Sequence, residues 1–342
     1  MRVLVALSGG VDSAVAALLL AREGAADVAA VTARLWPGGD RRSCCSPGAV
    51  ERARQVAADL GLPHRTVDLS ERFDAEVVTP FVEGYLAGLT PNPCVVCNRL
   101  RLAALADLAG EGGLLATGHY ARLVWRRGEP FVARAADRGK DQSYMLWRVP
   151  PATLARLRFP LGGLTKDEVR ALAAAAGLAV AGEPESQEVC FAPDGYRAFL
   201  RRRGAPSRPG RVVDREGRPR GEHAGHWLFT IGQRRGLGVS AAEPLYVLER
   251  RAATNEVVVG PREALLRREV VLGEVVDRGL GEGPLEVQLR YRSPAVAVAD
   301  LAPLPGGRLR VVLGEPFAGV APGQSAVFYR DDVVVGGGVV VA

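Results

Sequence analysis

A chain of 342 residues, 48% hydrophobic and 24% charged, has the composition of a soluble globular protein, and its length predicts two or three domains of roughly 100–200 residues each. Its 44 Lys and Arg against 38 Asp and Glu leave a formal charge of +6, too small an excess to identify a polyanionic partner, and its 41 Gly and 23 Pro follow no collagen or solenoid period. The longest apolar runs, Ala14–Ala21 and Ala171–Val180, fall short of the roughly 20 residues a bilayer span needs, so a membrane protein is excluded. The five cysteines are an odd count, and the chain starts without a charged-then-apolar leader. A reducing cytoplasm is therefore expected rather than a secreted disulfide framework.

The first 125 residues alternate strand-like runs with amphipathic stretches, the pattern of a parallel sheet covered by helices. Val3–Leu7 is predicted as strand, Ser13–Glu23 as helix and Val28–Leu35 as strand. Val50–Leu60 has helical spacing ended by Gly61 and Pro63, and Arg65–Leu69 is the next strand. Leu100–Ala109 follows as helix and Leu114–Ala116 as strand. This is a doubly wound α/β domain. Leu164–Leu178 again has helical spacing, with a capping box predicted between Thr165 and Glu168.

After Cys190 the character changes. Gly195 to Arg220 holds nine Arg and two acids, a local excess of +7, which fits either a solvated linker or a phosphate-tracking surface. From Val270 onward, β-branched runs at Val270–Val276, Leu285–Arg292, Ala295–Ala299, Leu309–Leu313, Ser325–Tyr329 and Val333–Val341 are separated by Gly and Pro turns. They predict a small antiparallel barrel of five or six strands. The expected domains are residues 1–200 (α/β), 201–266 (central, β-rich) and 267–342 (barrel).

The strongest chemical signal is Ala6-Leu7-Ser8-Gly9-Gly10-Val11-Asp12-Ser13, between the first strand and the first helix. Two glycines let backbone N–H groups turn inward, Ser8 and Ser13 add hydroxyl donors, and the helix offers its positive end to an anion. The Gly-Lys-Ser/Thr ending of the ATPase P-loop is absent, which disfavours a γ-phosphate-transferring NTPase. Asp12 is either a Mg²⁺-side carboxylate or a helix cap.

A second signal is Thr90-Pro91-Asn92-Pro93-Cys94-Val95-Val96-Cys97-Asn98. Its Cys-x-x-Cys is half a metal site, a redox pair or two buried small residues, with no second pair at zinc-ribbon spacing. The prolines are expected to hold Asn92 and Cys94 in extended geometry, on a surface that receives a substrate. Further stretches are Thr117-Gly118-His119-Tyr120 after a strand, Lys140-Asp141-Gln142-Ser143-Tyr144, and Ser186-Gln187-Glu188-Val189-Cys190-Phe191. A His following Gly at a strand end is placed for the ligand crevice of such a sheet.

Ser-Gly-Gly-x-Asp-Ser resembles the pyrophosphatase loop of the N-type ATP pyrophosphatases, which cleave ATP between the α and β phosphates. Taken in order with Gly232-Gln233-Arg234-Arg235-Gly236-Leu237-Gly238 and Pro322-Gly323-Gln324-Ser325-Ala326-Val327-Phe328-Tyr329, these stretches resemble, over essentially the whole chain, the bacterial tRNA-specific 2-thiouridylases. The resemblance implies ATP and Mg²⁺ as cofactors, and tRNA for Lys, Glu and Gln as substrate. It implies a wobble uridine adenylated on its C2 oxygen and sulfur delivered by an upstream sulfur carrier or cysteine desulfurase. It places ATP on Ala6 to Ser13, Ala33 and Gly118, and the flipped base at Asn92, Pro93 and Cys94. It makes Cys190 the persulfide carrier and Cys97 its partner, able to release hydrosulfide or to close a Cys97–Cys190 disulfide. Its tRNA contacts are His119, Lys140, Asp141, Gln142, Arg290, Tyr291 and Gln324.

Many members carry Asp where this chain has Cys94. Cys94, Cys97 and Cys190 are three thiolates, the number that would hold a [4Fe–4S] cluster with one open iron, so persulfide and cluster versions are both carried. Cys44 and Cys45 are expected to be incidental, and a disulfide between such neighbours is disfavoured by geometry. Two other functions remain open at the level of sequence. A ligase or amidotransferase acting on a small carboxylate would consume ATP without tRNA, and a non-enzymatic RNA-binding protein would tolerate Asp12→Ala.

Overall fold

The computed structural model describes residues 2–24, 27–36, 47–182 and 189–341, arranged as two compact units. Cys44 and Cys45, and Ser186, Gln187 and Glu188, lie outside the described residues. The first unit comprises Met1–Val78, Pro93–Tyr196 and Asp332–Val334. Its early elements are β1 (Val3–Ala6), α1 (Val11–Arg22), β2 (Val28–Arg34), α2 (Pro47–Asp59), β3 (His64–Asp68) and α3 (Ser70–Phe73). Helix α4 (Thr79–Leu86) belongs to the second unit. The chain returns to the first with α5 (Pro93–Asp107), β4 (Leu114–Thr117), β5 (Arg122–Arg126), β6 (Glu129–Ala133), α6 (Pro151–Leu154), β7 (Leu157–Arg158) and α7 (Lys166–Ala175).

The sheet order is β3-β2-β1-β4-β7, every pairing parallel. Val3, Leu4 and Val5 are at most 1% exposed, as expected of a strand covered on both faces. The alanines of α1 (Ala14, Ala16, Ala17) are fully buried, and their small side chains let the helix lie close to the sheet. Val169 and Ala173 of α7 join the same core. The expected capping box is present, with Glu168 N donating to Thr165 Oγ1 and Thr165 N to Glu168 Oε2. Ala6 lies beside Val31 on one side and Thr117 on the other, so the strand order reverses at the β1/β4 pair. In open parallel sheets that reversal leaves a crevice at the strands' carboxyl ends.

One expectation fails here. Cys94 is helical rather than extended, because α5 begins at Pro93, seven residues before the predicted Leu100. Proline suits the first helical position, where its missing N–H would have had no partner and its fixed φ is already helical. Only Asn92, before the proline, stays non-helical.

The second unit comprises Thr79–Asn92, Arg197–Asp331 and Val335–Ala342. After α8 (Tyr196–Arg202) come β8 (Gly210–Val213), β9 (Pro219–His223), β10 (Tyr246–Arg251) and β11 (Glu256–Gly260), a sheet of order β10-β11-β8-β9 around Val212, Phe229, Val247 and Val257. The Arg-rich run is therefore not a linker; it builds α8, β8 and β9. Six further strands follow: β12 (Leu266–Asp277), β13 (Glu286–Gln288), β14 (Val296–Leu304), β15 (Arg308–Ala318), β16 (Ser325–Arg330) and β17 (Val333–Val340). Their order is β12-β15-β14-β13-β16-β17, and pairing of β12 with β17 closes the barrel and removes its edges.

Candidate active site

The loop after β1 is held from within. Ser8 N donates to Ser13 Oγ at 3.1 Å, the two hydroxyl oxygens lie 3.1 Å apart, and Ser13 Oγ donates to Gly10 O at 3.0 Å. Gly9 has φ +71°, and a Cβ there would stand 2.4 Å from Ala49 O, so the tight turn requires glycine twice over. Arg52 of α2 fixes the same turn by donating Nε–H to Gly9 O. Gly10 caps α1 without a side-chain hydrogen bond, which leaves the helix's first N–H groups to an anion. Gly118, just past β4, approaches the loop so closely that a Cβ would lie 2.7 Å from Asp12 C and Ser13 N. Ala33, near the end of β2, is 8% exposed.

Asp12 does not cap its helix. Its Oδ1 accepts from Lys166 Nζ at 2.6 Å and from Tyr120 OH at 2.9 Å. Sequence reasoning missed Lys166 and Tyr120. Lys166 is one of only two lysines in the chain, a scarcity that marks the residue without saying where it points.

Cys94 and Cys97 stand three residues apart on α5 and so share a face. Cys94 is exposed, Cys97 and Cys190 are half-buried, and all three are thiols. Phe191, 2% exposed, packs against Phe73 and Trp36 with ring centroids 5.8 and 6.3 Å apart and so anchors the turn that carries Cys190. Among the described residues no three His, Cys, Asp or Glu side chains are grouped to hold a single metal ion.

Several residues expected to meet tRNA are engaged by the chain itself. His119 is buried, hydrogen-bonds Thr117 Oγ1 at 2.8 Å and packs edge-on against Phe159. Burial, with a smaller contribution from the Arg101 guanidinium, pushes its imidazole down to about 3, so it is neutral at physiological pH. Asp141 accepts from Ala135 N, Ser143 N and Ser143 Oγ, and burial raises its carboxyl above the usual range. Gln142 Oε1 accepts from Tyr120 N. Arg290 is exposed and Tyr291 half-buried, with the Arg292 guanidinium 5.3 Å from the Tyr291 ring. Of the Arg-rich run, Arg218 and Arg220 share Asp214, and Arg211 pairs with Glu256.

In the second unit, Thr90 is clamped. Its N donates to Pro322 O at 2.7 Å, its carbonyl accepts from Gln324 Nε2, and its hydroxyl accepts from Arg250 Nη2 at 2.8 Å. The same Arg250 nitrogen donates to Gly88 O and Leu89 O, and the guanidinium lies over the Tyr85 ring. Arg250 carried no signal in the sequence, where it is one arginine among many. Gln324, expected on tRNA, here holds the segment that leads to Asn92.

Loops after β1 and β4 that meet where a parallel sheet reverses its order place the molecule among the α/β enzymes that seat a nucleotide's phosphates on backbone N–H groups. Known proteins narrow this. Family models described as tRNA methyl transferase HUP domain, tRNA methyl transferase PRC-barrel domain and aminomethyltransferase beta-barrel domain match residues 1–194, 197–261 and 275–340. The chain is 53% identical to the bifunctional protein NifU/MnmA of Rubrobacter xylanophilus, covering 99% of this chain and 69% of that one. It is 47% identical to the tRNA-specific 2-thiouridylase MnmA of Syntrophotalea carbinolica, covering 98% and 97%. With that of Heliobacterium modesticaldum it shares 44% over 99% and 92%. The chain belongs to the tRNA-specific 2-thiouridylase family, and it is an enzyme, a tRNA sulfurtransferase.

Proposed function

We propose that the protein uses ATP to replace the C2 oxygen of the tRNA wobble uridine with sulfur. The observation that carries this is the phosphate loop at the β1/β4 crevice, with Gly118 packed on it and Asp12 facing Lys166. Such a loop suits a reaction that expels pyrophosphate. The methyl transfer in the family model's description needs neither that loop nor a pair of thiols.

The C2 oxygen attacks the α-phosphorus, and the α–β bridging oxygen leaves with its electron pair on pyrophosphate. Backbone N–H groups of the Ser8–Ser13 loop receive that charge. Mg²⁺ fits beside Asp12, since a single carboxylate with phosphate oxygens is a common Mg²⁺ environment, and it would neutralise phosphate charge there. The terminal sulfur of a Cys190 persulfide attacks C2 and AMP departs. Cys97 thiolate then attacks Cys190 Sγ, and the S–S electron pair passes to the sulfur on C2. This yields 2-thiouridine and a Cys97–Cys190 disulfide, which a thiol reductant reopens. In an equally balanced order, Cys97 attacks first and frees hydrosulfide, which becomes the nucleophile. A [4Fe–4S] cluster on Cys94, Cys97 and Cys190 is the alternative sulfur carrier; it would present sulfide on an open iron, and no step above is routed through it.

Lys140, Arg290 and Tyr291 are assigned to tRNA, and Asn92, Pro93 and Cys94 to the flipped base. His119, Asp141, Gln142 and Gln324 are proposed for the same tRNA surface, and Gln324 also holds Thr90, two residues before Asn92. The sulfur comes from a carrier protein or cysteine desulfurase. The setting assigned to the protein is the cytoplasm; no described helix is long and apolar enough to cross a membrane. The working division of the chain is 1–200, 201–266 and 267–342.

The test is incubation with ATP, a persulfide donor and unmodified tRNA, followed by nucleoside analysis. The protein should form 2-thiouridine with AMP and pyrophosphate in equal amounts. Cys190→Ser and Cys97→Ser should each lose at least about 100-fold of product. Product at the normal rate from either variant would overturn its assignment.

A further inference from the structure

The loop from Ala6 to Ser13 contains no Lys or Arg, although the departing pyrophosphate gathers negative charge at the loop itself. The fold brings a cation from 154 residues away. Lys166 is the first residue of α7, and its ammonium stands 2.6 Å from Asp12 Oδ1 and 5.9 Å from the Tyr120 ring centroid.

Three features fix this placement. The capping box sets the start of α7, Asp137 Oδ2 accepts from Lys166 N at 2.9 Å, and Val169 and Ala173 lock the helix into the core that includes α1. The Lys166 side chain is 7% exposed, while its partner Asp12 remains 32% exposed. The pair therefore presents a covered ammonium behind a carboxylate that solvent or a nucleotide can still reach. Elsewhere the chain uses arginine for nearly all its positive charge. A covered site beside one carboxylate oxygen suits a compact, rotatable ammonium better than a planar fork.

Building on the adenylation reading, we propose that Lys166 is the electrophile of the nucleotide site. Asp12 is the counter-ion that holds its ammonium beside the loop, and Tyr120 fixes the carboxylate. When the α–β bond breaks, the ammonium turns N–H donors to the pyrophosphate oxygens that take the electron pair. A role confined to anchoring α7 would not involve pyrophosphate.

Steady-state pyrophosphate release, with tRNA present, separates the two. Lys166→Met should lower kcat by roughly 100- to 1,000-fold, as loss of one charge-stabilising donor does, while KM for ATP moves less than about 5-fold. Inhibition by added inorganic pyrophosphate should weaken at least about 10-fold, and Lys166→Arg should not restore kcat. If Lys166→Met releases pyrophosphate and is inhibited by it like the parent, the proposal is overturned. A measurement on the unsubstituted protein covers a variant that fails to fold. With ¹⁵N-lysine labelling only two ammonium signals exist, assigned by comparison with Lys140→Arg. The Lys166 signal should shift on titration with inorganic pyrophosphate, and an unmoved signal at saturation would overturn the proposal. A parent protein that releases no pyrophosphate with ATP and tRNA would overturn the adenylation reading and this proposal with it; normal release by both parent and variant would overturn this one alone.

Discussion

Adding one methyl group at Gly118 should damage the nucleotide loop from outside it. A Cβ there would lie 2.7 Å from Asp12 C and Ser13 N and 2.9 Å from Asp12 O, where ordinary contact begins at 3.4 Å, so about 0.7 Å must be found. All three atoms are backbone in the first turn of α1, and the surrounding Val11, Ala14 and Val15 are at most 5% exposed, so no side chain can swing aside. Overpacking of this kind costs about 1–3 kcal/mol. At roughly 2–4 °C per kcal/mol for a unit of this size, the melting temperature should drop by about 2–12 °C. The displacement also moves the loop N–H groups proposed to receive phosphate, and misplacements approaching 1 Å cost on the order of 100-fold in turnover. The assay is thermal melting together with tRNA-dependent pyrophosphate release, with Gly163→Ala as control because a Cβ there meets nothing within 4 Å. If Gly118→Ala melts and turns over like Gly163→Ala, the close approach does not constrain the site.

Two further outcomes follow from the same bonds. His119 has a folded-state pKa of about 3 against 6.5 unfolded, so between those values the unfolded chain binds the extra proton. Its contribution to stability is complete above pH 6.5 and is lost as pH falls toward 3, at up to about 1.4 kcal/mol per pH unit. Urea unfolding of His119→Gln across that range should show a shallower loss than the parent, and parallel curves would contradict the burial assignment. Arg250→Lys cannot reproduce a guanidinium that reaches Gly88 O, Leu89 O and Thr90 Oγ1 while lying over Tyr85. It should cost about 1.5–3 kcal/mol in denaturant unfolding, and a lysine variant as stable as the parent would show that the clamp is dispensable.

Much of the fold was legible because each element obeys its own local rule. The capping box at Thr165 and Glu168, the β-branched runs of the barrel and the Gly-rich turn after β1 depend on neighbours a few residues away, and each lies where its pattern placed it. Pro93 was misread for a local reason as well. The same residue that forces extended geometry on Asn92 is an ideal first residue for a helix, and only the packing of α5 in the first unit chose between the two readings. The burial of His119 was not legible because a strand-end histidine open to a crevice and one covered by its neighbours have the same sequence, and desolvation is invisible until those neighbours are known.

By itself the sequence determined the class of chemistry: a glycine-rich loop between a strand and a helix, a cysteine pair, and a third thiol beside an aromatic. Those depend on residue type and short spacing. Tertiary structure alone decided which groups face them. Lys166 meets Asp12 across 154 residues, Gly118 sets the depth of the loop, and Arg250 holds Thr90 across 160. The physical reason is that hydrogen bonds and ion pairs act over about 3 Å of space, and spacing along the chain says nothing about which distant side chains the packing of the core will bring within that reach.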